Sequence, residues 1–110
     1  MGGLFGPADQ PTRPDAIRRV QITNRRGLHA RAAAKFVKTV ERFTAAVTVV
    51  RLEGADQKST GEEVSGRSIM GLMMLAAAPG TTIELRAIGT DAAAALNALE
   101  ALVEAKFDED

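Results

Sequence analysis

The 110-residue sequence has no cysteine, no tryptophan and no tyrosine, and only one histidine. Without cysteine there is no disulfide framework, no thiolate nucleophile and no cysteine-ligated zinc. The only aromatic residues are Phe5, Phe36, Phe43 and Phe107. None falls in a segment with strand character, which counts against an RNA reader, because such proteins stack bases on exposed aromatic platforms. Long apolar runs are also missing. The longest, residues 69–78, contains a glycine and falls far short of the ~20 residues that cross a bilayer. Residues 1–16 lack the charged start, apolar run and small-residue cleavage site of a secretory signal. No membrane insertion and a cytoplasmic location are expected.

One compact domain fits this length, and the 45% hydrophobic and 25% charged composition is that of a globular chain. Net charge is zero, which argues against a general nucleic-acid binder. The distribution is uneven. Residues 13–42 carry a local charge of +7, and residues 43–110 carry −6, an asymmetry able to steer an acidic partner or a phosphate toward the first third. The structural alternative is that solvated faces fold back and neutralise each other.

Glycines and prolines punctuate residues 1–15, so a flexible N-terminal extension is expected there, with the domain over residues 16–110. Residues 17–22 read as a partly exposed strand. From Ala33, the apolar residues Ala33, Phe36, Val37, Val40 and Phe43 make one helical stripe, with Lys35, Lys38 and Arg42 outside it and solvated. Residues 47–52 are β-branched and read as a buried strand. Residues 53–63 read as a long polar hairpin connection, and residues 64–66 as the end of a short partner strand. Ser68 is placed to cap a short apolar helix over residues 69–75, stopped by Pro79-Gly80. Residues 82–88 alternate as a half-buried strand. Thr90-Asp91 caps a last helix with Leu96, Leu99, Val103 and Phe107 as its inner stripe. The order β-α-β-β-α-β-α predicts an α+β fold in which a four-stranded antiparallel sheet carries three helices on one face.

His29 lies between a glycine-ended loop and the first helix, close to the N-cap. A lone histidine there is commonly a plain surface or capping residue. Three features favour chemistry: the free N–H groups and partial positive charge of a helix start, the forked donor of Arg31 two residues on, and the basic surroundings. A neutral imidazole can attack phosphorus, and the product would set its oxygens against those donors. A metal site is the competitor, but one histidine without a nearby carboxylate or thiol is a poor ligand set. A serine-histidine-aspartate triad would need a nucleophile elbow, which the sequence lacks. An acylphosphatase-like hydrolase would need a phosphate loop and a water-positioning residue.

The stretch Arg26-Gly27-Leu28-His29-Ala30-Arg31-Ala32-Ala33-Ala34-Lys35-Phe36-Val37 resembles the active-site segment of the HPr family, the histidine-containing phosphocarriers of the bacterial phosphoenolpyruvate phosphotransferase system. Arg67-Ser68-Ile69-Met70-Gly71-Leu72-Met73-Met74-Leu75 resembles that family's second, regulatory-serine segment. The resemblance covers roughly residues 16–107, and the order of elements agrees with the family's open-faced β-sandwich. It implies that His29 accepts phosphate on Nδ1 from phosphorylated Enzyme I. Arg31 then contacts the phosphoryl group, and Ser68 is the target of an HPr kinase/phosphorylase in bacteria that have one. Ile69, Met70 and Met73 form an apolar docking patch, for which ordinary helix core is the alternative. The implied acceptor is an Enzyme IIA-type protein of a sugar-transport system or of the nitrogen-related, regulatory branch, toward which the second segment leans. The protein is then a stoichiometric relay, expected to be a monomer with no cofactor, no metal and no nucleic-acid partner. A regulatory or ligand-binding α+β module working by protein contacts without phosphotransfer is the alternative. Three departures stand out: Ala32 replaces the usual proline, the hairpin after Val50 is longer than is common, and the N-terminal extension has no counterpart.

Overall fold

The structure, a computed structural model, describes residues 13–109. The chain runs β1 (Ala16–Gln21), α1 (Ala30–Val40), β2 (Ala46–Glu53), β3 (Lys58–Ser65), α2 (Ile69–Met74), β4 (Thr82–Ile88) and α3 (Ala92–Glu104), followed by a short turn of helix at Lys106–Asp108. The sheet is antiparallel throughout, in the order β1-β4-β2-β3. The three helices cover one face, as expected. Side chains alternate across a strand, so Ile83, Leu85 and Ala87 of β4 and Val47 and Val49 of β2 face the helices. They meet Phe36 and Val40 of α1, Leu72 of α2, and Leu96, Leu99 and Val103 of α3 in one core.

The other face is open, and there Glu84 of β4 is buried among polar groups. Its carboxylate accepts from Arg19 Nε at 3.0 Å and Arg86 Nε at 2.7 Å. Burial pushes this carboxyl upward, but the hydrogen bonds from Arg86 and Arg19 outweigh it and hold the group below the usual glutamate range. Among the described residues, no helix is long and apolar enough to cross a membrane.

Several expectations are corrected. Residues 53–63 are not one connection: only residues 54–57 form the turn, and Lys58–Ser65 is a full strand. β3 is an edge strand with no fully buried side chain, so its pairing rests on backbone bonds to β2, and only Val64 near its end packs against the core. α1 begins at Ala30, as the capping position of His29 requires, but ends at Val40, which leaves Phe43 half-buried in the following turn. Lys35 is only partly exposed, because its ammonium donates to the Phe107 carbonyl at 2.6 Å. Phe107 is fully buried but lies beyond α3.

α2 also stops before Pro79-Gly80. Ala76, at φ 53°, takes the left-handed conformation that closes a helix C-terminus. At the other end of the chain, Asp15 is tied to the sheet. Its N–H donates to the Ala87 carbonyl, and its carboxylate accepts from Gly89 N–H, both at 2.8 Å. The rest of the expected N-terminal extension, residues 1–12, lies outside the described residues.

Candidate functional site

The loop before α1 is held by short-range bonds that aim His29 at the helix. Gly27 N–H donates to the Asn24 carbonyl at 3.2 Å, and Leu28 N–H to the Ala77 carbonyl at 3.0 Å. Gly27 has φ 66°, and a Cβ there would sit 2.5 Å from the Ala77 oxygen. Only glycine lets the loop lie this close to the segment after α2. His29 follows in extended conformation and is itself the N-cap of α1. Its Nδ1 accepts from the Arg31 backbone N–H at 3.3 Å. That is longer than the usual ~2.9–3.0 Å, so this lone pair is only loosely held.

The other ring nitrogen has a partner that sequence spacing does not reveal. His29 Nε2 lies 2.8 and 3.0 Å from the two carboxylate oxygens of Glu109. Glu109 Oε1 also accepts from Asn24 Nδ2 at 2.8 Å, and the same amide donates to the Gly27 carbonyl at 2.8 Å. The His29 and Glu109 side chains keep only 22% and 11% of their exposure. The hydrogen bond from His29, aided by that from Asn24 and by the nearby charges of His29 and Lys35, holds the Glu109 carboxyl below its ordinary range against the opposing effect of burial. Glu109 is therefore ionised and can only accept. Nε2 facing the carboxylate and Nδ1 accepting from the Arg31 N–H is the hydrogen-bond pattern of a neutral ring protonated on Nε2. The absence of a carboxylate near His29, used above to disfavour a metal site, is thus corrected. No group of three or more metal-ligating side chains occurs among the described residues.

Glu109 reaches this place because Lys106, Phe107 and Asp108 all take positive φ, 56, 56 and 60°, and turn the chain back. Left-handed backbone costs a non-glycine residue ~1–2 kcal/mol. Burial of Phe107 and the Lys35 bond to its carbonyl offset that cost.

Arg31 is exposed in the first turn of α1. With Arg25, Arg26 and Glu109 it lines an open cleft of about 370 Å³. Its guanidinium makes no hydrogen bond or ion pair among the described residues, which leaves its fork available for an anion. Ala32, in the position of the family's proline, is fully buried under the helix start.

Ser68 caps α2 as expected, its Oγ accepting from Gly71 N–H at 2.9 Å. Gly71 leaves room for this, since a Cβ there would stand 3.0 Å from that Oγ. On α2, Leu72 is buried while Ile69, Met70 and Met73 are exposed. Met74, 75% exposed, extends the patch and was not singled out from the sequence. The shortness of α2 is the signal that was available, because six residues cannot turn every apolar side chain inward.

A family model described as "PTS HPr component phosphorylation site" matches residues 17–105. The phosphocarrier protein HPr of Xylella fastidiosa is 44% identical over 89 residues, covering 81% of this chain and 91% of that protein. The phosphocarrier protein NPr of Shewanella violacea is 46% identical over 92 residues, covering 84% and 92%. Among solved structures, HPr of Thermoanaerobacter tengcongensis superposes with a TM-score of 0.72 at 37% identity, covering 86% of this chain and 98% of that one. The sheet order, the two capped helices and these matches agree, and the chain belongs to the HPr family of phosphocarriers of the phosphotransferase system.

Proposed function

We propose that His29 receives a phosphoryl group on Nδ1 from phosphorylated Enzyme I and passes it to an Enzyme IIA-type acceptor in the cytoplasm. One observation carries this reading. The Nδ1 lone pair points at the N-terminus of α1, held there by a single long hydrogen bond. A phosphoryl group on that nitrogen would meet the free N–H groups of the first turn. Arg31, whose guanidinium is unengaged among the described residues, supplies a bidentate donor beside it. The cleft is shallow and open, which suits transfer between two proteins in contact and not turnover of a sequestered small molecule.

Docking is assigned to the exposed apolar side chains of α2, Ile69, Met70 and Met73, extended by Met74. Ser68 stands at the edge of that patch. A phosphate placed there by an HPr kinase/phosphorylase would add about −1.5 to −2 charges and weaken the apolar contact. The acceptor belongs to the sugar-transport or the nitrogen-related branch, and the resemblance of residues 67–75 to regulatory versions favours the latter. The protein works as a monomer.

Incubation with Enzyme I and phosphoenolpyruvate, followed by intact mass, tests the reading. One acid-labile phosphoryl group per chain is expected, and none on His29→Ala. A chain that gains no phosphate is instead a module acting through protein contacts alone.

A further inference from the structure

Two hollows lie at the histidine end of the molecule, and Arg26 lines both of them. One is the cleft of Arg31 described above. The other, of about 230 Å³, is lined by His29, Leu28 and three alanines just beyond α2, Ala76, Ala77 and Ala78. We propose that Arg26 is a specificity-determining residue: it demands a carboxylate on the partner protein that docks on α2 and reaches His29. This rests on His29 being the acceptor and on α2 being the docking face.

Arg26 is held in place from the backbone upward. It is the third residue of the tight turn that the Gly27 N–H closes on the Asn24 carbonyl, and Gly27 lies against the Ala77 carbonyl. The side chain is exposed, and its guanidinium makes no hydrogen bond or ion pair among the described residues. Glu109, the acidic residue of the adjoining cleft, is already engaged by His29 and Asn24. Arginines on the sheet are treated differently. Arg18 is paired with Glu100, Arg19 and Arg86 with Glu84, and Arg51 with Glu53.

The rest of the second hollow is apolar. Leu28 and the three alanines line it, and among the described residues Arg26 brings its only permanent charge. It runs from the histidine to the segment that leaves α2, next to the exposed Met73 and Met74. A partner seated on those side chains and reaching His29 therefore covers this hollow. Covering it takes water away from the guanidinium. A desolvated charge without a counter-charge is costly, whereas a carboxylate set opposite forms a charge-assisted, bidentate pair. The same side chain thus favours an acidic partner and penalises any other, and specificity is that difference.

Four proteins test this: the parent, Arg26→Ala, Arg26→Lys and Arg26→Glu. Affinity for unphosphorylated Enzyme I is measured by titration, and KM and kcat are measured for transfer from phosphorylated Enzyme I. Arg26→Ala should weaken affinity and raise KM by roughly tenfold, with kcat changed by less than about twofold. Arg26→Lys should lie between parent and alanine, because it keeps charge without the fork. Arg26→Glu should bind more weakly than alanine, and added salt should narrow that gap. All three should melt with the parent, since the side chain is exposed. Affinity and KM unchanged in both the alanine and glutamate variants overturn the proposal. So does a fall in kcat at unchanged KM, which would put Arg26 on the phosphoryl group itself. A parent that binds Enzyme I but gains no phosphate overturns the acceptor reading, while the effect of Arg26 on binding is still read, so the two failures are distinguishable. A parent that does not bind Enzyme I overturns both.

Discussion

His29 and Ser68 occupy the same position on two different helices, and the two ends are built differently. Ser68 is a preferred cap, with a 2.9 Å bond to the third N–H of α2. His29 caps α1 through a ring nitrogen at 3.3 Å, on the second N–H. Around His29 stand Arg25, Arg26, Arg31 and Glu109; around Ser68 stand exposed isoleucine and methionine side chains. The serine end spends its cap on stability. The histidine end gives up capping quality for a lone pair that can be redirected, and surrounds it with charge. A third helix start makes the contrast sharper. Asp91 caps α3 by position, but its carboxylate instead accepts from the Thr44 and Ala45 N–H groups, each at 2.8 Å.

The most drastic way to break the comparison is to exchange the reactive cap. His29→Ala should abolish phosphate uptake from Enzyme I, read as no mass gain. The substitution removes both the long cap bond and the Glu109 contact, so stability should fall by about 1–3 kcal/mol. Arg31→Ala should slow transfer by about ten- to a hundredfold, the worth of a charge-assisted donor. Arg31→Lys should lie between the two, since it keeps charge without the fork. Both Arg31 variants should melt within ~0.5 kcal/mol of the parent.

At the other cap, Ser68→Asp should stay folded and slow transfer from Enzyme I by roughly tenfold, with partial relief on adding salt. Ser68→Ala should transfer at the parental rate and lose ~1 kcal/mol of stability in urea titrations. Parental transfer in the aspartate variant would leave Ser68 as a cap alone.

The smallest effect concerns acid. The Asp91 carboxyl lies below its ordinary range, chiefly through the backbone N–H of Thr44, then that of Ala45, against a rise from burial. A lowered folded value means that the stabilisation is complete above the unfolded aspartate value of ~3.9 and is lost as pH falls through the lower folded value. Urea titrations against pH should show this acid loss in the parent and less of it in Asp91→Asn, with phosphate transfer at neutral pH unaltered.

Much of the fold was legible because its determinants are local. The apolar stripe Ala33, Phe36, Val37, Val40 announces α1, and the alternation through residues 82–88 announces β4. Of β3 only the end at residues 64–66 was read as strand, and its polar first part was taken for a loop, because an edge strand is held by backbone bonds and needs no continuous apolar face. Ala76 was missed as the end of α2 because a left-handed alanine carries no mark in the sequence, whereas a glycine there would have been read at once.

The candidate site divides along the same line. Both caps could be read from the sequence, since a cap bond joins residues two or three positions apart and depends only on the local chain. Arg31, two residues beyond His29, was readable for the same reason. Glu109 was not, and neither were the burial of Glu84 beneath Arg19 and Arg86 nor the anchoring of Lys35 on Phe107. These contacts exist only because the helices pack on one face of a sheet whose order brings β1 beside β4. Among several acidic residues in the last segment, the one that reaches the histidine is chosen by where α3 ends and how the chain turns after it. That is settled by packing, which no local pattern encodes.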